Sequence, residues 1–395
     1  MQGTERLHHM DNLRALAMLA GVVFHAALAY SPLMHPVWPL ADAGRSTVVD
    51  IVAWFLHLFR MPLFFVVAGF FAALLAARRG MGGLFRNRCA RVLLPLLLFL
   101  PPVLVSMQWL TANAAATVMQ PSPALAWLRA YLGEHGALPS MPGWAHLWFL
   151  FYLMLFTVLA WVASALELQR LGARIGELHP LALAVAMPLL LAPALAGTGV
   201  PWPAPEFLLP SLWALAFFGM YFALGYQAFH QPALLDRLRP LSPVLLVGAV
   251  AAYAALFWLT DGFAIARPAP LRHALHAMLE ALAGFWMTLW CLLAGKRWLD
   301  KRSASMRWLA DASYWVYLVH LPVLFAVQYR LLDLHMHWIA KLAISILSTF
   351  ALSFASYQLL VRHTVVGRLL NGKQGNCGRE RQGRASIRPT GGMPR

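Results

Sequence analysis

The chain has 395 residues, 61% of them hydrophobic and only 12% charged, with a net charge of +16 and a mean hydropathy of +0.64. That balance excludes a soluble globular domain, because too little polar surface exists to coat a water-facing body, and it leaves an integral membrane protein. The basic excess (pI near 10.6) is dispersed among loops rather than gathered on one face, which argues for loops facing anionic lipid and against a nucleic-acid partner.

A bilayer core takes about 20 apolar residues per helix, and on that measure the sequence predicts an all-α, polytopic bundle of about ten transmembrane helices. They fall at 12–31, 48–77, 92–109, 146–166, 180–197, 211–229, 242–260, 272–294, 308–330 and 339–361. The first carries Arg14 and His25 in an otherwise greasy stretch. Eleven residues at 100° and 1.5 Å each place the two about 20° apart around the helix and about 16 Å apart along it. Both therefore face one partner surface. An ionisable group inside a membrane is costly unless it meets a cavity or a partner, so the pair marks a candidate site. Ala27-Leu28-Ala29 mimics a signal-cleavage site, but Glu5 and Asp11 in the preceding segment predict an uncleaved first helix.

The second segment, LHLFRMPLFFVVAGF (56–70), puts His57 and Arg60 three residues apart on one helical face. A guanidinium there must find an anion, a carbonyl or water, and a substrate cavity is the reading adopted. FRNRCARVLLP (85–95) concentrates Arg86, Arg88 and Arg91 at the start of the third span, and bidentate donors of this kind suit phosphates. In the long connection 110–145, Leu125, Leu128 and Leu132 share a face and predict a short helix lying on the membrane surface. Helix 146–166 opens with His146 and Trp148, and helix 308–330 carries Tyr314, Tyr317 and His320. Aromatic rings with polar tips can stack on sugars, although interfacial anchors have the same composition. On 272–294, His273, His276 and Glu280 form a polar stripe that is better read as hydrogen-bonded within the bundle than as a metal site.

With the N-terminus inside, 24 of the 31 Lys and Arg residues fall in cytoplasmic segments and six outside, so both termini are expected in the cytoplasm. Residues 1–370 read as one membrane-embedded domain. Residues 371–395, rich in Gly and Arg, read as a disordered basic cytoplasmic tail. Cys89, Cys291 and Cys377 suggest no disulfide framework. No internal repeat, Gly-rich nucleotide loop, haem-attachment motif or nucleophile elbow is visible.

DNLRALAMLAGVVFHAALAY, HLFRMPLFFVVAGFF, RNRCARVLLPLLLF, HLWFLFYLMLF and SYWVYLVHLPVLF resemble, in order, the motif series of the membrane-bound acyltransferase 3 family. HLFRMPLFFVVAGFF together with AHLWFLFYL is most similar to its branch of periplasmic glucan succinyltransferases. The resemblance implies an inner-membrane enzyme that moves an acyl group, succinyl or acetyl, from cytoplasmic acyl-CoA to hydroxyls of an extracytoplasmic glycan such as a periplasmic glucan. It implies that Arg14 works with His25 in catalysis, and that Arg14, Arg88 and Arg91 hold the anionic CoA moiety, with Arg86 an extra beyond the family pattern. His25 would be the base for the sugar hydroxyl or would itself carry the acyl group; the residues leave both open. His57, Arg60, His146, Trp148, Tyr314, Tyr317, His320 and Glu280 are the expected substrate-binding residues. No permanently bound cofactor and no metal is expected; acyl-CoA, the glycan, membrane lipids and other proteins of glucan synthesis are the expected partners. The alternative is a transporter of a glycan, lipid-linked sugar or organic acid, with the same charged residues lining a translocation path. A haem- or quinone-binding oxidoreductase using the buried histidines is a third reading.

Overall fold

The computed structural model describes residues 8–139, 143–167, 179–263, 269–301 and 303–371. Arg6, Arg170, Arg174, Arg267 and Arg302, which enter the orientation count, lie outside these residues, as does the expected tail from residue 372. Among the described residues the structure is helical, with one isolated antiparallel bridge between Gly143 and Phe207. The helices are α1 (His8–Leu28), α2 (Thr47–Arg88), α3 (Leu94–Thr117), α4 (Pro123–His135), α5 (Trp148–Ala165), α6 (Pro180–Ala196) and α7 (Leu212–His230). They continue with α8 (Leu234–Leu238), α9 (Ser242–Leu259), α10 (Pro270–Trp298), α11 (Ala304–Leu331), α12 (Trp338–Ser356) and α13 (Val365–Asn371). Helix starts follow their local chemistry. Ser46, Ser122 and Ser303 accept hydrogen bonds from backbone N–H groups of the first turns, and Pro123, Pro180 and Pro270 occupy first-turn positions.

Each of the ten predicted segments coincides with a helix, but among the described residues eight runs are long and apolar enough to cross a membrane. Two features make the difference. Pro180–Ala196 has only 17 residues. Residues Thr47–Thr117 form a single run of 71, joined through a π turn at Cys89–Leu93. This run is two arms. Gly80 breaks the helix with φ 69 and ψ 171, a conformation that favours glycine. Beyond it the chain doubles back, so that the Arg88 guanidinium donates to the Ala68 carbonyl at 3.3 Å; a straight helix would hold those residues about 30 Å apart.

α2 is the central element. It packs on α7 at backbone distance: a Cβ on Gly225 would stand 1.8 Å from the Val66 carbonyl oxygen, and one on Gly69 would stand 2.0 Å from that of Phe222. Small residues let membrane helices approach in this way. α1 lies between α2 and α11, and α10 packs against α2, α6 and α9. Outward faces are apolar, with exposed Leu97, Leu98, Val105, Leu159, Val162, Val247, Leu347 and Leu352. The interior buries His57, Arg60, His146, Glu280, His320 and Lys341. Grease outside and polarity within is the arrangement a multi-pass membrane protein needs.

The predicted surface helix exists as α4. Its Leu125 is buried and Leu128 and Leu132 pack against a satellite core that includes Ala114, Val118 and Phe325, so its apolar face is covered by protein. Lys341 of α12 and Asp42, in the segment after α1, form a buried ion pair at 2.6 Å, and Lys341 also donates to the Leu332 carbonyl.

Candidate active site

Two cavities lie in line along α1. The larger has a volume of about 420 Å³, within the range of small-molecule and cofactor sites. Its wall carries seven cations (Arg14, Arg78, Arg79, Arg88, Arg91, Lys301 and Arg307) against two carboxylates, Asp11 and Asp311. The doubling back at Gly80 makes this wall, because it brings the stretches on either side of the break, 64–79 and 87–92, together beside the start of α1. The π turn at Cys89–Leu93 follows directly on Arg88 and contains Arg91; such local widening is common at functional sites. Tyr314 of α11 donates to the Arg91 carbonyl at 2.8 Å and fixes that turn. Arg14 pairs with Asp11 at 3.4 Å and lies 5.6 Å from the Phe71 ring centroid. The chamber suits a ligand carrying several phosphate charges.

The second cavity is small, about 40 Å³, and is lined by His25, His57, Arg60, His146, Trp148, Tyr317 and His320 among others. At roughly 10–15 Å³ per water it has room for about three. Backbone carbonyls set the ring tautomers. His57 Nε2 donates to the Trp202 carbonyl at 3.0 Å, His146 Nε2 to that of Tyr317 at 3.1 Å, and His320 Nδ1 to the same Tyr317 oxygen at 2.8 Å. A carbonyl only accepts, so each ring carries its proton there, and in the neutral ring the opposite nitrogen holds a lone pair. Those opposite nitrogens, His57 Nδ1, His146 Nδ1 and His320 Nε2, are buried without partners, as is His25 Nδ1. His25 and His320 have ring centroids 5.3 Å apart, and His146 stands 4.9 Å from His320. Tyr317 closes the arrangement by donating to the His146 carbonyl at 2.8 Å.

Arg60 enters this cavity from α2, its guanidinium 5.0 Å from the Phe24 ring centroid and its Nε without a partner. Among the described residues no carboxylate lies within ion-pair distance of it. Gly21 makes the space, since a Cβ there would meet Arg60 Nη1 at 2.8 Å. A buried cation with free donors beside four imidazoles can hold an anionic group or a developing oxyanion. No three His, Cys, Asp or Glu side chains among the described residues are grouped as metal ligands.

On α1, Arg14, Met18, Gly21 and His25 recur at spacings of four, three and four, so one helical stripe runs from the large cavity to the small one. Met18, Phe64 and Phe149 line both spaces. The strap 200–207 covers the small cavity: Ala204 lines it, Trp202 accepts from His57, and the Glu206 carbonyl accepts from the Trp144 N–H at 2.7 Å.

The predicted residues sort cleanly. His25, His57, Arg60, His146, Trp148, Tyr317 and His320 converge on one cavity, and Arg14, Arg88 and Arg91 on the other. Tyr314, expected among the acceptor-side residues, lines the arginine chamber instead. Arg86 is exposed and off the chamber wall. Glu280 stands one step back, where its Oε1 accepts from the Trp202 N–H at 2.8 Å and so anchors the strap. His273 of the same stripe donates to the Ala196 carbonyl. Sequence reasoning missed Met18 and Gly21, which the α1 periodicity contains, and Phe24, Phe64, Phe149 and Trp202, for which the sequence carries no separate signal.

Three comparisons bear on this geometry. A family profile described as an acyltransferase domain matches residues 7–358. The chain is 27% identical to the glucans biosynthesis protein C of Salmonella schwarzengrund over 328 residues, covering 80% of this chain and 82% of that one. It is 27% identical to the proteins of the same name from Salmonella typhi and Salmonella typhimurium over 337 residues, with the same coverage. No solved structure matches the chain.

Proposed function

The chain belongs to the acyltransferase 3 family, and from that premise we propose that it moves an acyl group from cytoplasmic acyl-CoA to hydroxyls of an extracytoplasmic glycan, a periplasmic glucan being the first candidate. The name of the Salmonella relatives supports the glucan as acceptor. The observation that carries the reading is the stripe on α1: one helix face joins a phosphate-sized basic chamber at Arg14 to an imidazole-lined pocket at His25. In this reading both termini face the cytoplasm of the inner membrane. Arg14, Arg88 and Arg91 hold the CoA phosphates, and the thioester reaches the histidines.

The chemistry then has two balanced forms. In direct transfer the sugar oxygen attacks the thioester carbonyl while His25 takes the hydroxyl proton. The C–S bond breaks, the ester C–O bond is formed, and the departing thiolate recovers the proton from His25. In the two-step form a nitrogen of His25 attacks first, CoA leaves as its thiol, and the acyl-imidazole then transfers to the sugar hydroxyl. Arg60 stabilises the oxyanion in either route. That no carboxylate among the described residues pairs with it supports an acyl group that brings its own, as succinyl does and acetyl does not.

The test is transfer of labelled acyl groups from acyl-CoA to glucan by membranes containing the wild type or His25→Ala. Loss of labelled glucan at unchanged protein abundance is the expected result, and wild-type transfer by the variant would remove His25 from the chemistry. Mass spectrometry of envelope glycans from cells with and without the gene names the acyl group and the acceptor together. Solute flux without acyl transfer would favour a transporter.

A further inference from the structure

The wall between the two cavities is one side chain thick. Met18 of α1, Phe64 of α2 and Phe149 of α5 each face both spaces. All three are apolar. Phe64 and Phe149 pack ring to ring with centroids 5.3 Å apart, and Phe149 lies 6.3 Å from Tyr317, so the two rings are fixed from separate helices. Met18 is different in kind. It is unbranched with three rotatable bonds, so its thioether can swing aside without moving backbone. It also sits on the α1 stripe between Arg14 and His25, in the only part of that stripe that is neither polar nor glycine.

We infer that Met18, Phe64 and Phe149 form a partition that sorts acyl donors by the bulk of the acyl group and keeps water from the thioester. This rests on the acyltransferase reading above. Any thioester passing from the 420 Å³ chamber to the 40 Å³ pocket must part these three side chains. A narrow chain slips past a displaced methionine, whereas a branched or long acyl group meets two clamped rings. The same partition offers water nothing to hydrogen-bond. Without it, water would add to the thioester carbonyl beside the imidazoles and the C–S bond would break, giving free acid and CoA thiol with no glycan acylated.

Purified protein in lipid nanodiscs is assayed with acetyl-, succinyl- and decanoyl-CoA, with and without glucan, and CoA affinity is measured separately. Met18→Ala and Phe149→Ala are expected to raise acceptor-independent hydrolysis at least about fivefold and to favour decanoyl-CoA relative to the wild type. Met18→Trp is expected to bind CoA within about twofold of wild type while losing transfer by about tenfold or more, because the added bulk jams the partition alone. Hydrolysis and chain preference unchanged in both alanine variants, or wild-type transfer by Met18→Trp, overturns the proposal.

A readout independent of transfer separates this outcome from failure of the enzyme reading. His25→Cys is placed in a background with Cys89, Cys291 and Cys377 changed to Ser, and an anionic methanethiosulfonate is added. Labelling should accelerate about tenfold when Met18→Ala is introduced, as a barrier of side-chain thickness is removed. Equal labelling with and without Met18→Ala overturns the partition even if the enzyme is active. Accelerated labelling, where the protein with His25 intact transfers no acyl group from any of the three donors, upholds the barrier and overturns the enzyme reading instead.

Discussion

Gly21 and Arg60 occupy complementary halves of one space: the guanidinium nitrogen Nη1 lies 2.8 Å from where a Gly21 side chain would begin. Gly21→Ala should therefore leave the fold intact, because the obstructing atom is the end of a flexible side chain, and should push Arg60 out of register with His25. A shift of about 1 Å in a positioned group can cost on the order of 10²-fold in rate. Transfer assays with normal protein abundance check this, and an unimpaired Gly21→Ala would mean that Arg60 has no fixed task.

Arg60 itself should discriminate between donors. If it holds a carboxylate on the acyl group, Arg60→Gln will lower kcat/KM for succinyl-CoA about 10- to 100-fold more than for acetyl-CoA, matching charge-assisted hydrogen bonds of about 1.5–3 kcal/mol. Equal losses with both donors would leave Arg60 as an oxyanion stabiliser alone.

The three arginines entering α3 should separate by position. Arg88 and Arg91 line the basic chamber whereas Arg86 does not. Arg88→Ala and Arg91→Ala should each raise KM for acyl-CoA roughly tenfold, the worth of one charge-assisted contact. Arg86→Ala should change it less than about twofold, as surface charges do. Equal effects of all three would point to general charge on that face rather than a built site.

Packing of α2 on α7 leaves no such tolerance. A Cβ on Gly225 would sit 1.8 Å from the Val66 carbonyl oxygen, and backbone cannot step aside as an arginine tip can. Gly225→Ala should cost more than about 3 kcal/mol and appear as lost abundance and a lowered Tm in detergent. Gly82, with open space around its position, should accept Ala without such a loss.

Glu206, on the strap, has its carboxyl pushed up toward about 7 by the protein atoms beneath it, but its surface is exposed, so solvent screens the effect and the stability it carries is small. A carboxyl that binds its proton more tightly when folded contributes stability below the ordinary carboxylate range, and that contribution is lost as the pH climbs through about 7. The wild-type Tm should accordingly fall more between pH 5 and 8 than that of Glu206→Gln. Parallel pH profiles for the two proteins would show the strap to be indifferent to this charge.

The bundle was readable from hydropathy because lipid imposes a single length on every span. Where the count differed, Pro180–Ala196 is simply short, and at Thr47–Thr117 hydropathy measures grease and not direction: the reversal depends on the backbone angles of one glycine. The stripe of Arg14 and His25 was legible because helical spacing is arithmetic. The convergence of His57, His146 and His320 on His25 was not, since residues from 32 to 295 positions apart meet only through the packing of α1, α2, α11 and the turn that leads into α5. Glu280 shows the limit most plainly. Its type and depth suggested substrate contact, yet its partner is a backbone amide on a strap whose path no periodicity describes.

The ion pair between Lys341 and Asp42 reaches further than its own two charges. α12 contributes nothing to either cavity, yet through Lys341 it grips the segment that leaves α1. The last long helix thus serves as a datum against which α1, with its stripe between the two cavities, is levelled. Shortening the protein from its C-terminal end, or neutralising that lysine alone, would strand a carboxylate in a dry place and let α1 settle at a different height, disabling a site that neither change touches.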